Sequence, residues 1–179
     1  NNPITKSVWH CGMGSGSAGS GAQRMIAWDR IIVQSDRMTS PDPPPGFKPH
    51  FRKSGFTAPW EPLYSKVTAE KIVIGLYLRE PHCNSRGMVH GGLIAALCDN
   101  AMGLSCVQVL KGEGRDVAGL VTINLNTDFI SAARLGQWMT VDTTITSVGG
   151  SLAFATALVE AEDQLIAKAS ATFKVRKKA

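Results

Sequence analysis

A long apolar segment, residues 93–110, contains a single ionisable carboxylate, Asp99. Apolar residues at positions 93, 94, 97, 98, 101, 102 and 104 would cover almost the whole surface of a helix, so the segment predicts one long helix that is buried on most sides. Asp99 should then be buried as well. Taking a carboxylate out of water costs free energy unless the group is paired, hydrogen-bonded or neutralised. We therefore expect either a carboxylate that takes part in chemistry or an aspartate bonded to nearby backbone or to an arginine.

Two glycines, Gly91 and Gly92, follow His90 at the start of this predicted helix. Glycines at a helix start let another group approach the first N–H groups, which have no partner inside the helix. The helix dipole favours negative charge at the same place. The pattern therefore predicts a site that stabilises an oxyanion.

The spacing of these residues resembles that of one protein family. Asn84 is followed six residues later by His90, Gly91 and Gly92, and then by Asp99 inside an apolar helix. In this pattern the chain resembles the hotdog-fold acyl-CoA thioesterases of the phenylacetate-pathway (PaaI-like) subgroup. The resemblance extends more loosely from position 56 to position 175. It implies an α+β fold, the hotdog fold, in which a curved antiparallel β-sheet wraps around one long central helix.

The activity that the resemblance implies is hydrolysis of an acyl- or aryl-CoA thioester to the free acid and CoA. This reaction needs donors for the carbonyl oxygen as it becomes an oxyanion, and a base or nucleophile for the carbonyl carbon. The expected donors are the Gly91 N–H and the Asn84 side-chain amide. Asp99 is the expected general base or nucleophile, and Thr122 is either the hydroxyl that assists it or an ordinary strand threonine. We interpret His90 as fixing the loop, because no serine or cysteine nucleophile lies at a recognisable spacing from it.

The coenzyme A part of the substrate is expected, by the same resemblance, to contact two further groups of residues. They are Phe129 and Ser131, together with the turn formed by Ser147, Val148, Gly149, Gly150, Ser151 and Leu152. No separate cofactor is expected, since coenzyme A is part of the substrate. A metal site is not expected either, because His82, Cys83 and His90 lack a second ligand pair of suitable spacing.

Two other functions remain open from the sequence alone. The chain could bind acyl-CoA without hydrolysing it, although sensor proteins of this kind carry a DNA-reading helical module, and residues 1–45 are too rich in Gly and Pro to form one. It could also be a hotdog enoyl-CoA hydratase, but the G-D-x-N-P type run of that family is absent. Release of a free thiol from acyl-CoA separates a thioesterase from both.

Helix geometry predicts that one chain cannot form the site alone. Gly91 and Asp99 are eight residues apart, which corresponds to roughly 12 Å along a helix at about 1.5 Å per residue. One carbonyl group cannot contact both. The two groups should therefore meet across a two-fold axis, with a homodimer as the active unit. The resemblance implies that dimers pair further into a homotetramer.

The remainder of the chain predicts about five strands joined by short turns, and hence an antiparallel sheet. The strands are expected at 71–80, 121–129, 138–148, 151–160 and 165–175. In the strand at 121–129 the odd-numbered apolar positions should pack on the helix, and the other face should be polar.

Length and composition indicate one globular domain behind an unusual N-terminal stretch. The chain has 179 residues; positions 14–21 (GSGSAGSG) have the composition of a flexible linker, and 41–46 (PDPPPG) form a stiff break. We therefore predict a flexible extension over residues 1–45 and the thioesterase domain over residues 46–179.

Charge and cysteine content limit the partners that we expect. The net charge of +5 suits an acidic ligand such as a CoA thioester, and no nucleic-acid-reading motif accompanies the scattered basic residues. The four cysteines include no C-x-x-C pair and are expected to be reduced thiols. The uncharged run at 91–98 is too short to cross a bilayer, and no secretory signal opens the sequence. We therefore expect a cytoplasmic protein with no membrane or nucleic-acid partner.

Overall fold

One long α-helix and one antiparallel β-sheet make up the fold. The computed structural model describes residues 41–177, so residues 1–40 of the predicted extension lie outside the described range. The helix, α1, spans Gly91–Gly112, and two short 3₁₀ turns span Ala58–Trp60 and Glu80–His82. The strands are β1 Lys48–Pro49, β2 Tyr64–Val67, β3 Ile72–Tyr77, β4 Val117–Phe129, β5 Trp138–Val148, β6 Leu152–Ala161 and β7 Gln164–Lys177.

The order of the strands puts β4 at one edge of the sheet. The order is β1-β2-β3-β5-β6-β7-β4, and every neighbouring pair is antiparallel. α1 joins β3 to β4 and packs on strands β3 to β7. The predicted α+β architecture, an antiparallel sheet around one long central helix, is confirmed for the described residues.

The predicted number of strands was too low, because β1 and β2 were not expected. In β2 the fully buried position is Ser65, whereas Val67 is half exposed. A strand that buries a serine and exposes a valine has no apolar alternation for a sequence pattern to detect. β1 has only two residues and gives no pattern at all.

Small side chains in the sheet let α1 lie close against it. The buried positions of β6 and β7 are mostly alanine and valine: Ala153, Ala155, Ala157, Val159, Ala167, Ala169, Ala171 and Val175. They belong to the same core cluster as the fully buried helix residues Leu97, Ala101 and Met102. Ile166 and Phe173 are the large exceptions, and Phe173 lies against Gly103, where an added Cβ would be 3.5 Å from the ring. A Cβ at position 103 would therefore make an ordinary van der Waals contact with the Phe173 ring.

One stripe of α1 is only partly covered within the chain, and we call it the uncovered stripe. Its members recur every three or four residues, and they are Gly92, Ala95, Ala96, Asp99, Asn100, Gly103 and Val107. Asp99 is thus only partly buried, and the prediction that it is buried does not hold for one chain. We expected Asp99 to be buried because the flanking apolar residues indicate a helix that is covered on nearly all sides. In the structure the sheet covers only part of the helix surface.

Length and apolar composition would allow α1 to cross a bilayer. The sequence analysis considered only the uncharged run at 91–98, whose continuation is interrupted by Asp99, Asn100 and Gln108, whereas the whole helix spans Gly91–Gly112. The central helix of a sheet meets the same criteria, and α1 packs on the sheet along much of its surface. Length alone therefore does not indicate a membrane span here.

The apolar residues of β4 are largely exposed, contrary to the prediction that they pack on the helix, although Phe129 lies beside the helix start at Gly91. The exposed fractions are 46% for Val121, 58% for Ile123, 36% for Leu125 and 57% for Phe129. Within the described residues, β4 has a neighbouring strand, β7, on one side only. β4 is therefore a 13-residue apolar edge strand, a kind of edge that proteins normally cover or pair.

A β-bulge at Ile123 changes which residues of β4 face the helix. Thr122 pairs with Phe173 and Asn124 pairs with Thr172, so Ile123 has no partner in β7. Directly paired residues of neighbouring strands share one face of the sheet, and Phe173 is buried on the helix side. Thr122 therefore faces the helix. The extra residue reverses the alternation at this point, which is why strict alternation assigned Thr122 to the wrong face.

Candidate active site

The N-terminus of α1 leaves one backbone N–H without a partner. The helix begins at Gly91, after the cap residue His90. The Gly92 N–H donates to His90 Nδ1 at 2.9 Å, and the N–H groups of Leu93 and Ile94 donate to the His90 carbonyl at 3.0 and 3.3 Å. Of the first four helix N–H groups, only that of Gly91 has no acceptor among the described residues. It therefore offers a hydrogen bond at the positive end of the helix dipole.

The cap geometry favours a loop-fixing role for His90. Because Nδ1 accepts the Gly92 N–H, a neutral ring carries its proton on Nε2. No ring nitrogen is then left to accept a proton from water. The His90 N–H also donates to the carbonyl of His82 at 2.9 Å, which ties the helix start to the preceding 3₁₀ turn.

Phe129 covers the helix start from β4. A Cβ added at Gly91 would lie 3.1 Å from Phe129 Cζ and 3.2 Å from Cε1. These distances are shorter than nearly all real Cβ contacts, so a side chain at position 91 would require the Phe129 ring to shift by a few tenths of an ångström. The ring is itself half exposed and forms a wall beside the unpaired N–H of Gly91.

The loop before the helix fixes the orientation of the Asn84 amide. Asn84 Oδ1 accepts the N–H groups of Arg86 at 2.9 Å and Met88 at 3.3 Å. Two backbone donors need an acceptor there, which assigns oxygen to this side of the amide and places the NH₂ group on the other. Within the described residues the NH₂ group has no acceptor. Asn84 therefore presents a free side-chain donor, held by its own loop.

Asp99 and Thr122 form a hydrogen-bonded pair on the uncovered stripe of α1. Thr122 Oγ1 donates to Asp99 Oδ1 at 2.6 Å, joining residues that are 23 positions apart. The other carboxylate oxygen has no partner within residues 41–177. A hydroxyl that donates to one oxygen fixes the plane of the carboxylate and leaves the second oxygen available as an acceptor.

The cysteine next to Asp99 is unsuited to nucleophilic chemistry. Burial, together with the neighbouring Asp99 charge, raises the pKa of Cys98 to about 12. Burial also raises the pKa of Cys106 to about 11. Since the thiolate is the reactive form, neither thiol supplies a nucleophile near neutral pH. Cys83, Cys98 and Cys106 are all free.

The predicted site residues fall into two separate groups within one chain. Asn84, His90 and Gly91 lie at the helix start, whereas Asp99 and Thr122 lie further along the helix. The continuous helix separates Gly91 from Asp99 by roughly 12 Å along its axis. We call the first group the helix-start half and the second the carboxylate half.

The residues predicted to contact coenzyme A divide in the same way. Phe129 pairs with Ala167 near the beginning of β7, and the Ser131 hydroxyl accepts a hydrogen bond from Gln164 at 2.7 Å. The turn at 147–152 lies at the other end, where Leu152 pairs with Lys174. Seven residues of β7 separate the two ends, or roughly 23 Å at about 3.3 Å per residue. One group thus accompanies the helix-start half and the other the carboxylate half.

Comparison with known proteins identifies the family. Residues 86–168 match the family model described as the thioesterase superfamily. A Pseudomonas aeruginosa protein named as an esterase is 35% identical over 131 residues, which cover 73% of this chain and 95% of that protein. The chain belongs to the thioesterase superfamily. This makes it a thioester hydrolase.

Two further comparisons describe this thioesterase more closely. Mouse acyl-coenzyme A thioesterase 13 is 33% identical over 88 residues, or 48% of this chain and 58% of the mouse protein. The crystal structure of zebra fish thioesterase superfamily member 2 aligns with a TM-score of 0.62 and 25% identity, covering 69% of this chain and 88% of that one. The hotdog fold implied by the resemblance is confirmed.

One residue at the surface of this thioesterase was missed from the sequence. Arg115, just after α1, donates from Nη2 to the carbonyl of Gly149 at 2.6 Å and so lies against the turn at 147–152. The two residues are 34 positions apart, and an isolated arginine in a polar loop carries no pattern that would single it out. Only the fold brings it to the turn.

Proposed function

We propose that this thioesterase hydrolyses an acyl- or aryl-CoA to the free acid and coenzyme A, as expected for the PaaI-like subgroup. The observation that carries the proposal is the hydrogen bond from Thr122 to Asp99 on the uncovered stripe of α1. It holds a carboxylate in a fixed orientation on a surface that a second molecule can reach. Coenzyme A enters as part of the substrate, and no separate cofactor is involved.

The oxyanion of the reaction is stabilised in this proposal by the helix-start half. The free Gly91 N–H and the free Asn84 NH₂ group both donate without first breaking an internal hydrogen bond. Donors that are already oriented stabilise developing charge without reorganisation, which is the largest electrostatic contribution in acyl transfer. The Phe129 ring lies beside the same place.

Asp99 then acts on the carbonyl carbon, either through water or directly. As a general base it takes a proton from the attacking water; as a nucleophile it forms a mixed anhydride and expels the coenzyme A thiolate, and water cleaves the anhydride. Both routes consume one water and yield acid and thiol. Thr122 holds Oδ1 in both, so that Oδ2 faces water or carbon.

We place the complete site between two chains. A carbonyl group in contact with Gly91 is too far from Asp99 of the same helix, so the carboxylate half must come from a partner. The exposed edge of β4 supports this assembly. Two β4 strands that pair antiparallel around a two-fold axis between Leu125 and Asn126 bring Thr122 of one chain opposite the partner's Phe129.

This pairing joins the two halves of the site twice. Phe129 covers Gly91 and Thr122 bonds Asp99, so each Asp99 comes beside the partner's Gly91. The two-fold axis generates two equivalent sites per dimer. It also covers the apolar residues of β4 that are exposed in one chain. For the further pairing into a homotetramer, the exposed Phe154 and Leu158 on the outer sheet face are the corresponding surface.

The proposed activity is tested by thiol release. The purified protein is incubated with a panel of acyl- and aryl-CoA thioesters and a free-thiol reagent, beside Asp99→Asn and the control Asp142→Asn. Asp142 lies on β5 and forms an ion pair with Lys71, and both residues are outside the two halves of the site. We expect thiol release by the wild type and the control and its loss in Asp99→Asn. Thioester binding without thiol release for every acyl group would reject the proposal.

A further inference from the structure

The long loop that connects β1 to β2 carries two exposed phenylalanines that the mechanism above does not use. The two strands pair antiparallel, and the His50 N–H donates to the Leu63 carbonyl at 2.8 Å, which closes the base of the loop. Phe51 is 59% exposed and Phe56 is 69% exposed, more than any other large apolar side chain of the described residues. Every residue of 51–56 is exposed, and we call this stretch the aromatic tip.

The surfaces proposed above for the assembly do not include the aromatic tip. The dimer contact uses the apolar residues of β4, and the tetramer contact uses Phe154 and Leu158. β1 and β2 lie at the end of the strand order opposite to β4. In that assembly the two phenylalanines of the tip therefore have no assigned contact, although exposed apolar groups of this size commonly mark a binding surface.

The charged residues around the two rings are basic. Residues 47–56 contain Lys48, Arg52 and Lys53 and no acidic residue, and all three basic residues are exposed. Lys53 forms an ion pair with Glu61 at 2.8 Å, whereas the other two form no ion pair within the described residues. Free positive charges beside exposed aromatic rings are complementary to the surface of an anionic bilayer, where negative headgroups overlie an apolar interior.

The aromatic tip is anchored to the rest of the domain. His82 Nε2 lies 3.0 Å from the Trp60 carbonyl, and the Arg79 guanidinium donates to the Glu61 carbonyl. The Phe56 ring packs edge-on against Trp60, with ring centroids 4.8 Å apart, and Trp60 packs against the core. A side chain that is already held in place loses little conformational freedom on binding. The anchoring therefore favours binding through the tip.

We propose that the aromatic tip binds the surface of anionic lipid membranes, with Phe51 and Phe56 inserted among the headgroups and Arg52 in contact with lipid phosphates. The contact is peripheral and requires no membrane-crossing segment. It also requires no secretory signal. Spanning and secretion were the two features behind the expectation of no membrane partner, and neither concerns this kind of contact. The inference does not depend on the proposed activity.

Co-sedimentation with lipid vesicles tests the proposal. One set of vesicles contains phosphatidylcholine and phosphatidylglycerol in equal amounts, and the other contains phosphatidylcholine alone. We expect the wild type to bind the anionic vesicles more tightly. The double variant Phe51→Ser, Phe56→Ser should lose at least about tenfold in affinity, and Arg52→Gln about fivefold, the scale for one basic residue at an anionic surface. Val67→Ser is the control, because Val67 is 50% exposed at the other end of β2, and its affinity should be unchanged.

A conservative variant separates membrane contact from loss of structure. Phe56→Trp keeps an aromatic ring suited to the membrane interface, so it should bind the anionic vesicles like the wild type. Its added fluorescence emission should shift to shorter wavelength when these vesicles are present. Unshifted emission on bound vesicles would place the tip outside the membrane contact and overturn the inference.

Two other results would contradict the proposal. Equal affinity of the wild type and the double variant, or of the wild type for both kinds of vesicle, would show that the aromatic tip does not recognise an anionic membrane. Absence of vesicle binding by the wild type, together with a changed oligomeric state of the double variant in analytical ultracentrifugation, would instead make the tip a contact between subunits. The unfolding midpoint of each variant controls for stability.

Discussion

The helix-start half and the carboxylate half are built in different ways. The helix-start half is made by residues within one short stretch: Asn84 is held by Arg86 and Met88, and Gly91 stands next to its cap, His90. The carboxylate half joins Asp99 to Thr122, 23 positions away, through a bulge that turns Thr122 toward the helix. The comparison teaches that hydrogen-bond donors can be fixed by nearby residues, whereas an oriented carboxylate depends on the packing of the sheet.

The largest effect should come from the carboxylate half. Asp99→Asn keeps the size of the side chain and an oxygen for the Thr122 hydroxyl, so the fold and ligand binding should persist. We expect kcat to fall by about 10²-fold or more, the scale for loss of a general base. Steady-state kinetics measures this, with the unfolding midpoint as the control for stability. Turnover close to that of the wild type would remove Asp99 from the mechanism.

The helix-start half should respond nearly as strongly to loss of Asn84. If the amide donates to the oxyanion, Asn84→Ala raises the barrier by about 2 to 4 kcal/mol, seen as a lower kcat. Asn84→Asp is the companion variant, because it keeps an acceptor for the Arg86 and Met88 N–H groups but replaces the donor with a carboxylate, whose charge also opposes an oxyanion. Both variants should lose activity. A higher KM with an unchanged kcat would instead assign Asn84 to substrate binding.

A smaller effect is expected for the hydroxyl that orients Asp99. Thr122→Val has nearly the same shape but cannot donate to Asp99 Oδ1. We expect kcat to fall about tenfold, corresponding to roughly 1.4 kcal/mol for a hydrogen bond to a charged group. Thr122→Ser should retain most of the rate. Equal kcat values for the Val, Ser and wild-type proteins would show that Thr122 is an ordinary strand residue.

The smallest effect is on the stability of the fold and arises at His82, which contacts the helix-start half through His90. Burial lowers the pKa of His82, whose carbonyl accepts the His90 N–H. As the pH falls below about 6.5, the unfolded chain takes up a proton that the folded chain does not, so stability decreases by at most about 1.4 kcal/mol per pH unit.

His82→Gln tests this dependence. His82 Nδ1 accepts the Arg79 N–H at 2.9 Å and Nε2 lies 3.0 Å from the carbonyl of Trp60, and glutamine offers one acceptor and one donor in their place. Urea unfolding at pH 7.5 and pH 5.5 should show a shallower loss of stability for the variant than for the wild type. Parallel losses would mean that His82 does not carry the effect.

Features that depend on nearby residues could be predicted from the sequence. The two glycines after His90 and the apolar positions of 93–110 predicted a helix start and a central helix, and both are in the structure. The strands after the helix, β4 to β7, were also predicted, with bounds that differ from the observed ones by at most four residues. These signals lie within a few turns or within one strand, where spacing alone determines the outcome.

Features that depend on distant contacts could not be predicted. The bulge at Ile123 is a property of the β4–β7 ladder, and no residue type at 122–124 requires it. The exposure of Asp99 follows from which side of α1 the sheet covers, and β4 alternates like a core strand although it lies at an edge. Hydrophobic alternation indicates that a strand face will be covered, but it does not indicate whether the same chain covers it.

Complementation between inactive subunits tests the division of the site most directly. Asn84→Ala and Asp99→Ala proteins, each inactive alone, are co-refolded in equal amounts so that mixed dimers form. Half of the dimers should be mixed, each with one intact site of two, so activity should return to about one quarter of the wild type. No recovery, with subunit mixing demonstrated by differently tagged chains, would contradict the account: both halves would then act within one chain.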